Sequence, residues 1–393
     1  MLKVKSILNN FFLLIKQIFI VSFTLITLSN LKAQIPKTES RIKIPDWVSQ
    51  IVNDTVDSKK PRYLTYPNIG FSPETLWEFG LSGLCVFHYK NDTNLRLSEI
   101  YAFSFYTQMK QLGLWIDHTI YGKKNLFFFL GKIRFQNYPI LYYGIGNQIQ
   151  SENLAVVPSN NYIIRERLLY RISENIFTGL ELDYQHLLNP EFNWSSSVPS
   201  VLKLKPSGSQ GSRNLGIGFG LLWDSRHNVL NVRDGYLFEI AGLYYPKIFS
   251  KSFPMQTLYI DGRRFFSTAT NQVLALQFLG QFSAGNIPFN QLSQMGGDMM
   301  MRGYYLGKYR DKNYISAQAE YRFLPFNFSK RLGGAVFIGV GSISHTFTFE
   351  HLRWVGGGGL RYLIFPKKDI YTRIDIGLEP KGYGIYFYIG EAF

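Results

Sequence analysis

Cysteine is almost absent from this 393-residue chain, which contains only Cys85. A single cysteine cannot form an internal disulfide, so an exported form of the protein would depend on hydrogen bonding and packing alone. Cys85 lies in an apolar, strand-like run, and we interpret it as a packing residue. Histidine is scarce as well: the six histidines are scattered, with no carboxylate at a recurring spacing, and we predict no metal site.

Recognisable catalytic motifs are also missing. Gly80-Leu81-Ser82-Gly83 starts like the glycine–serine elbow of a hydrolase, but Leu84 stands where that elbow requires glycine. No glycine-rich loop of the kind that cradles phosphate occurs either. The sequence therefore predicts no enzyme and no cofactor.

Acidic residues are the minority charge, because 27 Asp and Glu stand against 42 Lys and Arg, giving a formal net charge of +15. Removal of a predicted leader with four lysines and no acid would leave +11. The basic residues are dispersed among predicted strands, with no basic helix and no platform of stacked rings, so we exclude nucleic acid as a partner. Contact with anionic lipid head groups, or a basic lumen, explains the charge better.

Long apolar runs are confined to the N-terminus. Lys3 and Lys5 precede an apolar region that ends at Leu31-Lys32-Ala33, which is the order of a secretory signal peptide. Lys16 interrupts the region and leaves about a dozen apolar residues, fewer than the ~20 that a spanning helix needs. We therefore expect residues 1–33 to be a cleaved signal peptide, with an uncleaved membrane anchor as the alternative.

Residues 34–62 form a polar segment that we interpret as a periplasmic tether. Four apolar residues recur at helical spacing after Pro45: Trp47, Val48, Ile51 and Val52. This spacing predicts a short helix from Pro45 to about Thr55. The helix could plug a lumen, lie on the membrane interface or act as a spacer, and we favour the spacer.

Aromatic residues, in contrast, are abundant, since 26 Tyr and 33 Phe bring the aromatic fraction to 17% with Trp. They alternate with small or polar residues along strand-like runs. In one run, Ile217, Phe219 and Leu221 face one way, and the glycines at 216, 218 and 220 face the other. A transmembrane barrel needs such apolar outer faces with aromatic girdles. The sequence thus predicts an all-β fold, a transmembrane antiparallel β-barrel over residues 63–393, with glycine-rich faces toward the lumen.

Strand-like runs can be counted on both sides of a long irregular segment at about residues 284–312. Five follow it and ten clear runs precede it, the first at about 75–90. A barrel that starts in the periplasm needs an odd number of strands before an external loop, so we add a short strand through Ile140–Ile145. The predicted total is about 16, an even number, as single-chain bacterial barrels require.

The irregular segment contains Gly296-Gly297-Asp298-Met299-Met300-Met301-Arg302-Gly303-Tyr304. With the leader, the aromatic strands and the final Tyr388-Ile389-Gly390-Glu391-Ala392-Phe393, this motif resembles the Omp85 superfamily (BamA/TamA type, also called bacterial surface antigen D15). The turn at 223–235 is similar to a periplasmic turn of that family. The resemblance implies an outer-membrane barrel of Gram-negative type. Residues 34–62 are too few to fold as the POTRA domains that usually precede the barrel, so we expect a member without them.

The resemblance also implies a set of site residues. In the family, an arginine at the tip of this external loop folds into the lumen and meets acids on the following strands; the matching residues here are Gly296, Gly297, Arg302, Gly303 and Tyr304. The family's Phe-x-Asp-x-Gly pattern reads Phe337-Ile338-Gly339 here, so its acid is missing. Asp375 is the expected partner instead, with Glu320 as the fallback. The last strand is expected to turn four side chains to lipid: Ile385, Phe387, Ile389 and Phe393.

The function that the resemblance implies is insertion of proteins into the outer membrane, or their translocation across it. Family members have a weakly paired seam between their first and last strands, which we expect here between about Glu78–Tyr89 and Gly384–Phe393. Unfolded client proteins and outer-membrane lipid would be the partners. The alternative is a pore or structural surface antigen with no assembly role, because a fold does not fix a function.

Overall fold

A computed structural model describes residues 61–393, apart from short gaps at 93–94, 96, 148–151, 227–230, 349–350 and 367–368. The predicted signal peptide and the predicted tether helix lie outside the described residues. Among the described residues, no helix is long and apolar enough to cross a membrane.

Sixteen antiparallel strands close into a barrel, which confirms the predicted fold class and strand number. Five shorter strands lie outside the barrel wall. The barrel strands, in order around the wall, are β1 (Arg62–Ser72), β2 (Leu76–His88), β3 (Leu97–Thr107), β4 (Leu112–Tyr121), β5 (Phe127–Asn137), β8 (Asn160–Ser173), β9 (Ile176–Leu188), β11 (Ser212–Asp224), β12 (Gly235–Tyr245), β13 (Met255–Ala269), β14 (Gln272–Gly285), β17 (Asn313–Phe323), β18 (Leu332–Ser344), β19 (Arg353–Phe365), β20 (Ile370–Glu379) and β21 (Gly382–Ile389). Short 3₁₀ turns occupy Tyr89–Asn91, Lys123–Asn125 and Ser200–Leu202.

The count is right, but one wall strand was missed and one predicted strand is wrong. The first barrel strand is β1, which we did not predict because Pro67 interrupts it and a sharp turn at 73–75 separates it from β2. The short strand at Ile140–Ile145 is not part of the wall. Only Ile140–Tyr142 (β6) is extended, and it pairs with Ala155–Val157 (β7) in a separate sheet.

Side chains alternate between lipid and lumen along each barrel strand. On β11, Ile217 and Phe219 are exposed by 50% and 67%, whereas Gly216 and Gly220 are buried on the lumen side. The glycine-rich face therefore lines the lumen, as predicted. A side chain at Gly216 would collide with the ring of Tyr245, a lumen residue of β12.

The two ends of the barrel differ. The longest connections, 138–159, 189–211 and 286–312, lie at one end, here called the loop end; β1 begins and β21 ends at the opposite, terminal end. At the loop end β6, β7 and β10 (Asn193–Trp194) form a three-stranded sheet, and β15 (Ser293–Met295) pairs with β16 (Tyr309–Asp311). An apolar core ties these connections together: Tyr142, Leu154, Ala155, Val157, Leu187 and Phe289.

Candidate functional site: the folded-back loop and the barrel seam

The 286–312 connection folds back on itself between β15 and β16. Gly296, Gly297 and Gly303 all have positive φ, at 108°, 102° and 124°, a region that glycine enters without strain. These turns direct the tip of the loop into the lumen. Tyr304 is 2% exposed there, and burial raises the pKa of its hydroxyl to about 12.

Arg302 is fully buried at the tip of the loop. Its Nη1 donates a hydrogen bond to Oδ2 of Asp375 on β20 at 2.7 Å, and its Nη2 donates to Glu320 on β17. The guanidinium carbon lies 3.6 Å from the centre of the Phe337 ring on β18. One arginine thus joins three strands of the wall through two charged hydrogen bonds and a cation–π contact.

The backbone around Arg302 lies flat against β20 and β21. A side chain at Gly377 would collide with the carbonyl of Arg302, so only glycine permits this approach. The N–H of Gly303 donates a hydrogen bond to the Tyr386 hydroxyl at 2.9 Å. The loop tip is therefore bound to the last two strands of the barrel.

Five further charged residues extend this cluster. Arg361 donates to Asp375 and, at 3.1 Å, to Glu391; Arg322 donates to Glu320 at 2.7 Å. Arg373 bridges Asp375 at 2.7 Å and Asp298 of the loop at 3.1 Å. The cluster balances four cations against four anions: Arg302, Arg322, Arg361 and Arg373 against Asp298, Glu320, Asp375 and Glu391. Such balance is what burial of charge in a partly dry lumen requires.

Sequence reasoning missed the additional arginines of this cluster. Glu320-x-Arg322 and Arg373-x-Asp375 each place opposite charges two residues apart, which puts both on the same face of a strand. That spacing was the available sign of a lumen ion network. At Gly339, where the family acid is missing, the neighbouring Gln318 instead donates to the carbonyl of Met299 in the loop at 2.9 Å.

The loop also contacts the turn between the first two strands. The N–H of Leu306 donates to Oε1 of Glu74 at 2.7 Å, and Glu74 is 7% exposed. Burial raises the pKa of the Glu74 carboxyl, and the hydrogen bond from Leu306 opposes this shift. Lys308 pairs with Glu379 on β20 at 3.2 Å. The loop therefore spans the junction where the barrel closes.

The closing junction is weakly paired. β1 pairs with β2 through eleven successive residue pairs, but with β21 only through Phe71 and Phe387. β20 and β21, by comparison, share eight pairs. The seam thus lies between β1 and β21, and the predicted use of Glu78–Tyr89 as its first edge is wrong, because those residues belong mainly to β2.

The end of the chain differs from the prediction. Gly390, at φ 92°, turns the chain after β21, and Phe393 enters the lumen, where it is 5% exposed. It packs with Phe265 and Val273, and its main-chain oxygen accepts a hydrogen bond from Arg322 at 3.0 Å. The lipid-facing orientation expected for Phe393 is therefore wrong. Ile385, Phe387 and Ile389 precede the turn and occupy the outer face of β21.

A model of the Omp85 superfamily domain matches residues 123–364, which is more than half of the chain. The chain belongs to the Omp85 superfamily. No curated protein sequence matches it.

Solved structures show the same Omp85 barrel fold at low sequence identity. BamA from Haemophilus ducreyi lacking POTRA domains 1–3 has a TM-score of 0.56 at 13% identity, covering 84% of this chain and 70% of that one. CdiB from Acinetobacter baumannii has a TM-score of 0.53 at 12% identity, covering 84% of this chain and 59% of that one. CdiB from Escherichia coli has a TM-score of 0.52 at 10% identity, covering 90% and 72%. At these identities the likeness shows the fold alone.

Within the described part of this Omp85 barrel, no group of three or more His, Cys, Asp or Glu side chains could hold a metal ion. The charged cluster around Arg302 consists of acids already neutralised by arginines. Its geometry suits fixing the loop.

Proposed function

We propose that this Omp85 barrel inserts proteins into the outer membrane, or translocates them across it, by opening at the seam between β1 and β21. The observation that carries the proposal is the single residue pair, Phe71 with Phe387, that joins these strands. The membrane would be that of a Gram-negative bacterium. The partners would be its lipid and unfolded client chains.

The physical basis is the unpaired edge of β1. Between Arg62 and Gly70 this strand is fully paired with β2 and has no partner on β21 among the described residues. Unpaired backbone groups in a membrane are costly, so an incoming strand that pairs with them is stabilised. Tyr63 and Ile69, exposed by 79% and 46% on the outer face, would extend the apolar surface of the added strand.

The cluster around Arg302 would have a conformational role in this process. It binds the loop to β17, β18 and β20, and Gly303 extends the contact to Tyr386 on β21. The last strand, β21, is therefore held by contacts inside the lumen, while its edge toward β1 is nearly unpaired. The loop also holds the β1–β2 turn through the hydrogen bond from Leu306 to Glu74, so we infer that this contact must break before β1 moves away from β21.

A disulfide lock across the seam tests the proposal. Phe71→Cys with Phe387→Cys, in a Cys85→Ser background, places two thiols at the one paired position of the seam. Oxidation should abolish complementation of a depleted strain, and reductant should restore it. The matched control joins β20 and β21 through Ile376→Cys with Ile385→Cys, a pair inside the wall that should remain active when oxidised.

The outer membrane of the depleted strain provides the readout. Quantitative proteomics should show loss of particular outer-membrane or exported proteins before general damage occurs. An unchanged inventory, or a seam lock that complements fully when oxidised, would contradict the assembly role and favour a structural barrel or pore.

A further inference from the structure

The lipid-facing wall carries an acid–base pair near the middle of its strands. His118 on β4 lies opposite Gly131 on β5, and Gly131 lies opposite Glu166 on β8. Leu182 on β9 lies opposite Glu166 and is 45% exposed on the outer face, so these paired residues face lipid. The flanking Asp117 and Arg167 point the other way, into the lumen, where each forms its own ion pair.

The geometry of the pair is specific. His118 Nε2 lies 2.8 Å from Glu166 Oε2, across the glycine between them. A side chain at Gly131 would collide with both groups, so glycine at this position is what allows them to meet. The ring of Phe129 lies 4.5 Å from the imidazole, centre to centre, and covers it. His118 is consequently only 8% exposed, while the side chain of Glu166 remains 22% exposed.

This position is unusual for ionisable groups, which hydrocarbon disfavours strongly. In the described strands, the outer face carries three other charged or imidazole side chains, and all lie toward strand ends: His186, Arg213 and Arg264. At the ends such groups reach the head-group region. Glu166 and the Gly131 that it pairs with lie near the middle of β8 and β5, where lipid tails are unfavourable surroundings for an ionisable pair.

We propose that this patch is a contact surface for a second copy of the same chain. The pair carries both an acid and a base, so two copies related by a two-fold axis beside Gly131 would each place His118 next to Glu166 of the other once the Phe129 ring turns away from the imidazole. Such reciprocal contacts are the signature of a symmetric dimer interface. Polar side chains that bond between neighbouring elements are a recognised source of association within membranes.

Two further observations fit a second barrel on this surface. The described residues form no hydrogen bond with Oε1 of Glu166, which leaves an acceptor on the exposed side of the pair. On the seam side of the pair, small residues project little from the outer face. Gly83 on β2 lies opposite Ala102 on β3, and a side chain at Gly83 would meet open space. A second wall could therefore approach closely. This inference does not depend on the proposed assembly function.

Cysteine crosslinking in native outer membranes tests the interface. In the Cys85→Ser background, Ile133→Cys introduces a thiol on the outer face of β5, two residues from Gly131. Ile338→Cys, at an outer-face position on β18 that is 63% exposed, is the matched control. A short thiol-reactive crosslinker should give a dimer of this chain several-fold more abundantly at residue 133 than at residue 338.

Mixing two single variants distinguishes pairing between copies from pairing within one copy. His118→Leu and Glu166→Leu, each combined with Ile133→Cys and a different tag, should each lose most of the crosslinked homodimer. Coexpressed, they should restore the mixed dimer, because one copy supplies the acid and the other the base. Heat-modifiable mobility confirms that each barrel is folded.

Three results would overturn the proposal. One is equal crosslinking at residues 133 and 338 in the otherwise unchanged protein. Another is failure of the mixed variants to restore the dimer. The third is crosslinking at residue 133 only to a different protein, which would assign the patch to another membrane partner.

Discussion

Arg302 could not remain buried in the lumen without the groups that surround it. An isolated buried charge is strongly disfavoured, and breaking a buried ion pair typically costs ~3–5 kcal/mol. Here two carboxylates accept its hydrogen bonds, and Phe337 covers the face of the guanidinium. The arginine therefore stabilises the folded-back loop only as one member of the cluster.

Replacement of Arg302 by alanine should release the loop while the barrel remains folded. Glu320 keeps Arg322, and Asp375 keeps Arg361 and Arg373, so the loss should fall below the ~3–5 kcal/mol of a fully unpaired charge. Trypsin should then cleave at Lys308 in intact cells. Asp375→Asn should act in the same direction, and Arg302→Lys should be intermediate because lysine lacks the planar fork.

The control for this experiment is Arg331→Ala, since Arg331 is exposed in a turn at the terminal end. It should leave cleavage at Lys308 unchanged. If Arg302→Ala shows no more cleavage than Arg331→Ala, the cluster does not hold the loop.

Glu74 should make docking of the loop depend on pH. Burial raises its pKa in the folded state, and nearby Asp298 adds to the shift. The docked state therefore holds a proton that an undocked, solvated carboxyl releases at its ordinary pKa. Docking is favoured most at acid pH and weakens as pH rises from the ordinary pKa through the raised one.

Glu74→Gln should remove that dependence and keep an acceptor for the Leu306 N–H. Hydrogen exchange at the Leu306 amide, followed between about pH 4 and 8, would measure the pH dependence of loop docking. Exchange protection corrected for intrinsic rates should fall with pH in the unchanged protein and stay level in the variant. Glu191→Gln, at an exposed position, is the control; an identical pH profile for all three proteins would refute the assignment.

At this scale the sequence predicted the residues but not all of their orientations. Arg302, Asp375 and Glu320 followed from a motif and from its broken acid position at Gly339. Phe393 was misplaced because strand alternation was extended through Gly390, whose positive φ ends it. A turn of this kind depends on a partner in the lumen, here Arg322, which binds the main-chain oxygen of Phe393. The periodicity of the sequence does not reveal where such a partner lies.

At the scale of elements, β1 is the strand that decides how the barrel closes. Proline has no N–H and is found in sheets where its nitrogen faces no neighbouring strand. Since β1 is paired along its whole length with β2, we expect Pro67 to present its nitrogen to the seam. It would then limit how far an added strand, or a chain extended beyond Ile389, can pair with β1.

Pro67→Ala restores a donor that the continued β1–β21 register places opposite Glu391, so the seam should lengthen as the turn at Gly390 straightens, a gain of about 0.5–1.5 kcal/mol for one hydrogen bond. Thiols at Ile69 and Ile389, which would oppose each other if the β1–β21 register continued, should form a disulfide faster in this variant. Pro199→Ala, in an exposed part of a loop-end connection, should have no effect. Equal disulfide rates with proline and alanine at residue 67 would show that the proline does not restrict the seam.

The elements themselves were largely readable from the sequence, because lipid on one side and a polar lumen on the other impose strict alternation. β1 and β6 are the exceptions. β1 is interrupted by proline, and β6 has the apolar character of a wall strand but packs in the loop-end sheet against Phe289. Parity gave the correct total because one strand was missed and one was added.

At the scale of the whole molecule, the lumen is divided rather than open. One side is filled by the loop and its ion cluster. The other contains a cavity of about 490 Å³, whose polar lining includes Lys132, Arg165, Arg167, Glu239 and Gln281. Sixteen strands are enough for an aqueous channel, so this filling is what separates the barrel from a porin.

Apolar side chains cluster at both ends of that lumen. The connections at the loop end share the core around Tyr142 and Phe289. At the terminal end, lumen-facing residues of the wall form a collar: Phe128, Leu169, Phe177, Leu222 and Leu237. Phe265, Val273 and Phe393 continue it toward the seam. An apolar lining of this kind disfavours the entry of water and ions.

Deletion of residues 36–58 should therefore leave a folded barrel with low conductance. All sixteen wall strands begin at or after Arg62 and pair with one another around the wall, so we expect the barrel to close without the deleted residues. The collar is likewise built from the wall and from Phe393. Heat-modifiable mobility would report folding, and planar bilayers would report conductance before and after the deletion.

Removal of Phe393 in the same assay should raise conductance, because it opens the collar beside Phe265. A sharp rise after deletion of 36–58 would instead show that the deleted segment closes the lumen, and that its interpretation as a spacer is wrong.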